Sequence, residues 1–146
     1  MKIKARTIVE GRAEGEALVS ENPISFYGGV DPETGIIREK GHPLEGVSIA
    51  NKILIFPYGK GSTVGSYVIL ALAKNNVAPR AIVNLESEPI IIIGCILASI
   101  PLVDKPAKNI FDIVKNGDYI RVIAEKDSAC ILVSRGSVSE ELPSTC

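Results

Sequence analysis

The segment from Gly59 to Tyr67 carries the side chains with the clearest capacity for chemistry. The amine of Lys60 comes directly before Gly61, and the hydroxyls of Ser62 and Thr63 come directly after it. Where such a turn leads into a helix, the backbone N–H groups and the positive end of the helix dipole favour the binding of an anion. The pattern predicts an anion-binding turn that presents a hydroxyl, without specifying a reaction.

Two better-known motifs with a lysine or a serine in a glycine-rich turn do not match this segment. A Walker A loop ends in Gly-Lys-Ser/Thr, whereas Lys60 precedes Gly61 here. The nucleophile elbow requires glycine two positions before and two positions after its serine, whereas Lys60 and Val64 occupy those positions around Ser62. The alternative interpretation of Ser62 is a helix cap with no chemical role.

A strand and a helix must position this turn. The apolar run Ile53 to Phe56 predicts a buried strand before it, and apolar residues at helical spacing predict a helix from about Val64 to Lys74. Ser62 then occupies the N-cap position, and the neighbouring glycines allow a tight turn that another molecule can approach closely. Lys60 either binds a phosphate or carboxylate near Ser62 or is a solvated surface lysine.

A second region with candidate binding residues begins at Gly28 and Gly29. It follows a short predicted strand at residues 24–27 and continues into a polar connection, residues 31–46, that contains three glycines and two prolines. Connections of this length in a compact domain are often functional, and the alternative is a mobile loop without a chemical role. The connection contains His42, the only histidine, for which a solvated side chain and a contact with substrate both stay open.

The remaining pattern predicts one mixed α/β domain. Residues 3–9 and 16–20 alternate like strands, with a break at residues 11–15 between them. A helix over residues 90–98 is favoured over a strand because a capping Ser87 and Pro89 form a start signal. We expect the domain to cover residues 1–136 and a flexible tail to follow at residues 137–146.

Composition argues against several classes of protein. The 146 residues include 16 basic and 17 acidic side chains, a balance that does not favour nucleic-acid binding. No apolar run reaches membrane-spanning length and no signal-peptide core follows Met1, so a cytoplasmic location is expected. Cys95, Cys130 and Cys146 are scattered without a Cys-x-x-Cys motif, which predicts buried free thiols at the first two positions and no metal or iron–sulfur site on this chain alone.

Four stretches of the chain form an ordered set of longer motifs. They are Gly28-Gly29-Val30-Asp31 with Thr34-Gly35, then Gly41-His42-Pro43-Leu44 before Gly46, then Gly59 to Tyr67, and finally Ile100-Pro101-Leu102-Val103-Asp104. Together these stretches resemble the small subunit of aconitase X-type hydro-lyases. The resemblance extends from about Lys2 to Gly136, nearly the whole chain.

The resemblance implies a single swivelling β/β/α domain, similar to the mobile C-terminal domain of aconitase. It also implies dehydration of (R)-5-phosphomevalonate to trans-anhydromevalonate 5-phosphate, a step of the archaeal mevalonate pathway to isoprenoids. Ser62 matches the serine that removes a proton from the substrate in aconitase, so it inherits the role of proton acceptor. The arginine of the aconitase turn has no counterpart, because Val64 stands in its place, in agreement with the aconitase X pattern.

The resemblance further implies a partner protein and a cofactor. A [4Fe-4S] cluster with one open iron site would be held by a large subunit, and the active site would lie at the interface of this heterodimer, with the connection after Gly28 as a second rim. The alternatives are the same chemistry on another hydroxy acid such as cis-3-hydroxyproline, a non-catalytic anion-binding module, and a scaffold subunit. The candidate substrate-binding residues are Lys60, Gly61, Thr63, Gly28, Gly29 and His42.

Overall fold

Seven strands close into a barrel, and two helices pack together against one side of it. The computed structural model describes residues 1–134 and 142–146. Within these residues the elements are β1 (Lys2–Val9), β2 (Gly11–Val19), β3 (Ile24–Ser25), β4 (Ile53–Phe56), β5 (Gly59–Lys60), α1 (Gly65–Lys74), β6 (Ala81–Asn84), α2 (Pro89–Ala98), β7 (Leu102–Asp104), α3 (Ile110–Ile113), β8 (Tyr119–Glu125) and β9 (Ser128–Ser134).

The barrel combines a parallel part with an antiparallel part. Its strand order is β1-β7-β6-β4-β2-β8-β9, and pairing of β9 with β1 closes it. Strands β2, β4, β6 and β7 are parallel to one another, whereas the remaining pairs are antiparallel. The parallel strands therefore share one carboxyl edge, at Val19, Phe56, Asn84 and Asp104, and such edges are where ligand sites of parallel sheets form.

The apolar run of β4 is buried on both of its faces, as predicted. Ile53 and Ile55 belong to the core inside the barrel, whereas Leu54 and Phe56 belong to a second core beneath the helices. Alternate residues of a strand point to opposite faces, so a strand covered on both sides must be apolar throughout. This double burial fixes the position from which the chain enters the Gly59 turn.

The predicted helix at residues 90–98 is confirmed, but its cap is not the predicted one. Glu88 caps α2, because its carboxylate accepts the N–H groups of Ile90 at 2.9 Å and Ile91 at 3.0 Å. Ser87 lies one residue before the cap; its hydroxyl donates to Oδ1 of Asn84 at 3.4 Å, and its N–H donates to the Asp104 carboxylate at 2.9 Å. Position 87 therefore ties the start of α2 to the end of β7.

Close contact between the helices fixes the start of α1. A Cβ atom at Gly94 would lie 2.6 Å from Cδ1 of Ile69, so α2 has no room for a side chain there. Near the other end of the contact, the Ser66 hydroxyl donates to the carbonyl oxygen of Ile90 at 2.7 Å. The first turn of α1 is thus held against the first turn of α2.

Two strand predictions are wrong in detail. Residues 11–15, expected to be a break, are continuous with β2, because each of the residues from Gly11 to Glu16 is paired with a residue of β8. Lys60 and Gly59, expected in a turn, form the short strand β5, which pairs in parallel with β3. In both cases a partner strand distant in sequence extends the backbone where the local pattern indicates a turn.

The last five residues contact the barrel, contrary to the expectation of a flexible tail. The guanidinium of Arg121 donates to the carbonyl oxygen of Leu142 at 3.0 Å, and Cys146 forms a disulfide with Cys130. The prediction of a free thiol at Cys130 is therefore wrong. The part of the predicted tail at residues 137–141 lies outside the described residues.

Candidate active site

Ser62 lies exposed between β5 and α1, beyond the carboxyl edge of the parallel strands. Its hydroxyl oxygen accepts the N–H of Val64 at 3.2 Å. Helix α1 begins at Gly65 with Val64 at its N-cap, so the prediction of Ser62 as the N-cap is wrong by two residues. The hydroxyl is nevertheless presented at the positive end of α1, with one N–H directed at it.

The N–H groups at the start of α1 are used within the turn itself. Those of Gly65, Ser66 and Tyr67 donate to the carbonyl oxygens of residues 62, 63 and 64, at 2.9, 3.2 and 2.9 Å. These bonds span three residues, like those of a 3₁₀ turn, and they explain why the α-helix begins late. The sequence-based expectation of free N–H groups facing a ligand is therefore wrong for these three residues.

Gly61 allows the turn to pass directly over Ser25. Its φ angle is 90°, which favours glycine, and a Cβ atom there would lie 2.4 Å from Oγ of Ser25. Ser25 belongs to β3, the partner of β5. Sequence reasoning missed Ser25, because no local signal indicates that β3 and β5 pair. Gly61 therefore allows the chain to pass close to Ser25 immediately before Ser62.

Lys60 forms an ion pair with Glu39 of the Gly28–Gly46 connection. Its Nζ donates to Oε2 of Glu39 at 2.9 Å, and both side chains are partly exposed. Burial alone would raise the pKa of Glu39, but the hydrogen bond and charge of Lys60 outweigh it and hold that pKa below its usual value. Glu39 therefore keeps its charge near Ser62, and Lys60 is neither a free cation nor a purely solvated side chain.

The Gly28–Gly46 connection is folded over this site. A Cβ atom at Gly29 would lie 2.0 Å from the carbonyl oxygen of Ser25, so Gly28 and Gly29 turn tightly beside β3. The N–H of Arg38 donates to the carbonyl oxygen of Gly29 at 2.8 Å. The structure therefore brings Gly29, Gly61 and the Lys60–Glu39 pair together around Ser25.

His42 is buried, contrary to the expectation of a solvated side chain. Only 6% of its surface is exposed. Its Nδ1 accepts the N–H of Leu44 at 3.0 Å, and its Nε2 lies 3.1 Å from the carbonyl oxygen of Pro23, to which it donates in the matching tautomer. Both ring nitrogens are thus engaged by the backbone, which gives His42 a role in shaping the connection. Its predicted contact with substrate finds no support in this geometry.

An uncharged surface borders the Ser62 turn. We define the α1/α2 face as Val64, Tyr67, Ile93, Ile96 and Leu97, all of them exposed, with Tyr67 at 67% and Ile96 at 59%. Helix α2 carries no charged residue, and α1 carries one, Lys74 in its last turn. A cleft of about 250 Å³ opens between the first turns of the two helices; it is lined by Thr63, Val64, Ser66, Tyr67, Pro89, Ile90 and Ile93.

The cysteines of this chain do not fit an iron–sulfur cluster. Cys95 is a buried free thiol, as predicted, and burial raises its pKa to about 12, so it is not available as a thiolate ligand. Cys130 and Cys146 are joined to each other. Among residues 1–134 and 142–146, no group of three or more His, Cys, Asp or Glu side chains is placed to bind a metal ion.

No helix in the described part of the chain has the length and apolar character needed to cross a membrane.

Residues 2–133 match the family model of the aconitase X swivel domain. The crystal structure of the holo form of aconitase X from Thermococcus kodakaraensis is similar to this chain, with a TM-score of 0.83 and 52% sequence identity over 90% of this chain and 98% of that chain. The predicted swivelling α/β domain is thereby confirmed.

Relatives of known name also match this chain over most of its sequence. A phosphomevalonate dehydratase small subunit from Methanosarcina acetivorans is 51% identical over 141 residues, which cover 97% of this chain and 98% of that protein. Another from Archaeoglobus fulgidus is 53% identical over 126 residues, 86% of this chain and 95% of that protein.

Proposed function

Because this chain belongs to the aconitase X swivel-domain family, we propose that it is the small subunit of a phosphomevalonate dehydratase and supplies Ser62 to the active site. The observation that carries the proposal is the match, at about half identity and nearly full length, to small subunits of that name. The reaction is the dehydration of (R)-5-phosphomevalonate to trans-anhydromevalonate 5-phosphate. The exposed hydroxyl at the start of α1 supports the role of Ser62.

Ser62 acts as the base of this reaction. Its Oγ, as the alkoxide, accepts a proton from the substrate carbon, and the electrons of the broken C–H bond form the new double bond as the neighbouring hydroxyl departs with the electrons of its C–O bond. The open iron site of a cluster on the large subunit would supply the acceptor for this hydroxide. The Val64 N–H at 3.2 Å and the positive end of α1 favour the alkoxide. Because the next three N–H groups are engaged by turn carbonyls, further stabilisation must come from the partner or the substrate.

Lys60 and Glu39 position the Ser62 turn. Their ion pair and the contact of Gly61 with Ser25 join the turn to the Gly28–Gly46 connection. The remaining candidate contacts with substrate are the backbone of Gly28, Gly29 and Gly61 and the Thr63 hydroxyl, which surround or follow the turn. We assign His42 to the folding of the connection, since its ring nitrogens are taken by the backbone.

The α1/α2 face docks on the large subunit. A helix that is apolar on all sides is normally buried, yet α2 exposes Ile93, Ile96 and Leu97. The face is continuous with the Ser62 turn, since Thr63 and Val64 line its cleft. A partner that completes the site at Ser62 must therefore cover this face, and the lack of charge on it matches an apolar, uncharged partner surface.

The iron–sulfur cluster of the holoenzyme belongs to the large subunit in this proposal. The three cysteines of this chain are either buried or paired, so they do not supply a set of ligands. We expect the assembled enzyme to be located in the cytoplasm.

The test is dehydratase activity on 5-phosphomevalonate, measured anaerobically with this chain and its large subunit assembled. We compare the wild type with Ser62→Ala, Ser62→Asn and the distant control Ser128→Ala, after verifying cluster content and assembly for each. Loss of a positioned base lowers kcat by about 10²–10⁴-fold, so both Ser62 variants are expected to be nearly inactive, whereas the control keeps wild-type turnover.

Ser62→Asn separates the two interpretations of the serine. Asparagine can accept the Val64 N–H as serine does, but it cannot act as the base. Near wild-type turnover in Ser62→Asn would show that Ser62 only accepts a backbone hydrogen bond and is not the base.

If the wild type with an intact cluster does not turn over 5-phosphomevalonate, the proposed substrate is wrong, and cis-3-hydroxyproline would be the next compound to assay.

A further inference from the structure

A cleft of about 610 Å³ lies near the opposite end of the parallel strands from Ser62. Arg80 directly precedes β6, and Arg12 and Glu14 lie in the first half of β2, before the residues that pair with β4. The cleft is therefore remote along the strands from the carboxyl edge that positions Ser62. Its lining consists of Arg12, Ala13, Glu14, Arg80, Arg121 and Ser144.

Among the described residues, the carboxylate of Glu14 is the one that lines the cleft, and its neighbours already bind it. Arg121 donates to Oε1 of Glu14 from both Nη2, at 2.9 Å, and Nε, at 3.2 Å. The hydroxyl of Tyr119 donates to Oε2 of Glu14 at 2.6 Å. The hydrogen bond from Tyr119, followed by those from Arg121, lowers the pKa of Glu14, so the carboxylate stays ionised and neutralises Arg121.

Arg80 has no such carboxylate. Its side chain passes over Gly15, where an added Cβ would lie 3.6 Å from Cδ of Arg80, and its Nη1 donates to the backbone carbonyl oxygen of Glu14 at 3.1 Å. Within the described part of the chain, no carboxylate lies within 4.0 Å of its guanidinium. Glu14 interacts with Arg80 only through space, so in the part of the chain that the structure describes Arg80 adds a positive charge and N–H donors without a direct ion pair to the cleft.

Arg12 adds to this positive excess. Its Nη1 donates to the carbonyl oxygen of Ser144 at 2.6 Å, which fixes the guanidinium at the cleft wall. Its nearest carboxylate, Glu125, is 3.6 Å away, and both side chains are about half exposed, so this pair is weak. Over residues 1–134 and 142–146, three guanidinium groups are opposed by Glu14 and the more distant Glu125, which leaves the cleft with a net positive charge.

We propose that this cleft binds a small phosphate-bearing anion between Arg12 and Arg80. A guanidinium presents planar, paired N–H donors that match two oxygens of one phosphate group, and these charge-assisted bonds are among the strong ones in proteins. The volume exceeds that needed for one phosphate group, so a diphosphate or a phosphate ester fits it. Arg12 donates to the backbone carbonyl of Ser144, and Arg80 donates to that of Glu14. These hydrogen bonds hold both guanidinium groups in place before the anion binds.

The experiment is a nuclear magnetic resonance titration of the isotope-labelled full chain with inorganic phosphate and with inorganic diphosphate, at fixed ionic strength. Saturable shifts are expected at the amides of Arg12, Glu14, Arg80 and Arg121 with at least one of the two anions. Arg80→Gln removes the charge but keeps an N–H donor for the Glu14 carbonyl, and it is expected to weaken binding about tenfold, the worth of a charge-assisted hydrogen bond.

Arg38→Gln is the matched control, because Arg38 is paired with Asp31 on another surface, and it is expected to leave the affinity unchanged. Equal affinity in the wild type and Arg80→Gln, shifts that do not saturate, or shifts centred on Ser62 would overturn the proposal. A further variant changes Glu140 and Glu141 to Gln; both lie outside the described residues and precede Leu142 in the sequence. Binding that requires this change would also overturn it, because carboxylates of the chain itself would then fill the cleft.

Discussion

The ammonium group of Lys60 lies 2.9 Å from the carboxylate of Glu39, across 21 residues of sequence. The pair joins the strand that precedes Ser62 to the connection that follows Gly28. Glu39 also accepts the N–H of Ser25 through its other oxygen, at 3.4 Å, so one side chain links both strands of the small β3–β5 sheet. The position of Ser62 thus depends on a contact outside its own turn.

Removal of either charge of this pair is expected to lower turnover by a similar, modest factor. Glu39→Gln and Lys60→Gln each loosen the same link, so the double variant should lose little more than either single variant. We expect a fall of up to about tenfold in kcat for each, since partners in one interaction are coupled by about 0.5–3 kcal/mol. A double-mutant cycle on dehydratase activity measures this. Additive losses would contradict a shared positioning role and would favour a direct contact of Lys60 with substrate.

Gly61→Ala is expected to displace the Ser62 turn, whereas Gly41→Ala is expected to change the Gly28–Gly46 connection less. Both glycines have positive φ angles, 90° and 80°, so alanine suffers the same backbone penalty of about 1–2 kcal/mol at either position. Only at Gly61 does the added Cβ meet another group, Oγ of Ser25 at 2.4 Å, whereas Gly41 has open space. Because Ser25 must shift its hydroxyl to make room, dehydratase activity should be lower in Gly61→Ala than in Gly41→Ala. Equal activity in the two variants would show that the contact with Ser25 does not position Ser62.

Ile96→Glu is expected to prevent assembly with the large subunit while leaving the isolated chain folded. Ile96 is 59% exposed, so the substitution should change the free energy of unfolding by no more than about 0.5 kcal/mol. In the complex the carboxylate would be buried against an apolar partner surface, which is costly. Sedimentation of the mixed subunits and thermal melting of the single chain test both statements. Lys126→Glu, in the exposed β8–β9 turn, adds the same group elsewhere and should assemble normally.

Asp104→Asn is expected to destabilise the chain at neutral pH but not in acid. Burial alone would raise the pKa of Asp104, but hydrogen bonds from Arg6, at 2.8 and 2.9 Å, and from the Ser87 N–H outweigh it and lower that pKa. A lowered pKa stabilises the fold above the unfolded value of about 3.9, and this stabilisation is lost as the pH falls through the folded value.

The expected loss at neutral pH is about 2 kcal/mol in the free energy of unfolding, the worth of hydrogen bonds to a buried charge. Denaturant unfolding at several pH values measures it, and the wild type and Asp104→Asn should converge in acid. Asp127→Asn, in the exposed β8–β9 turn, serves as the control. A difference that persists unchanged below the folded pKa would refute the electrostatic origin of the effect.

Local sequence patterns were enough to predict the elements around the site. The apolar run of β4, the glycine-rich turn and the helical spacing after Val64 are local patterns, and local patterns decide strand, turn and helix when burial agrees with them. The start of α2 was also predictable from Pro89. The first residue of each helix was harder to predict. Glu88, rather than Ser87, caps α2 with its carboxylate, and α1 begins after Val64 because the N–H groups after Ser62 bond to carbonyl oxygens of the turn.

Contacts between residues that are distant in the chain became visible only in the folded structure. The Lys60–Glu39 pair, the Cys130–Cys146 disulfide and the burial of His42 all join segments far apart in sequence. No local pattern encodes such contacts, because they depend on how the barrel closes and on which connections it brings side by side. A hydroxyl next to glycine is visible in the sequence, but the setting that fixes it beside a charged pair and an uncharged face exists only after the chain has folded.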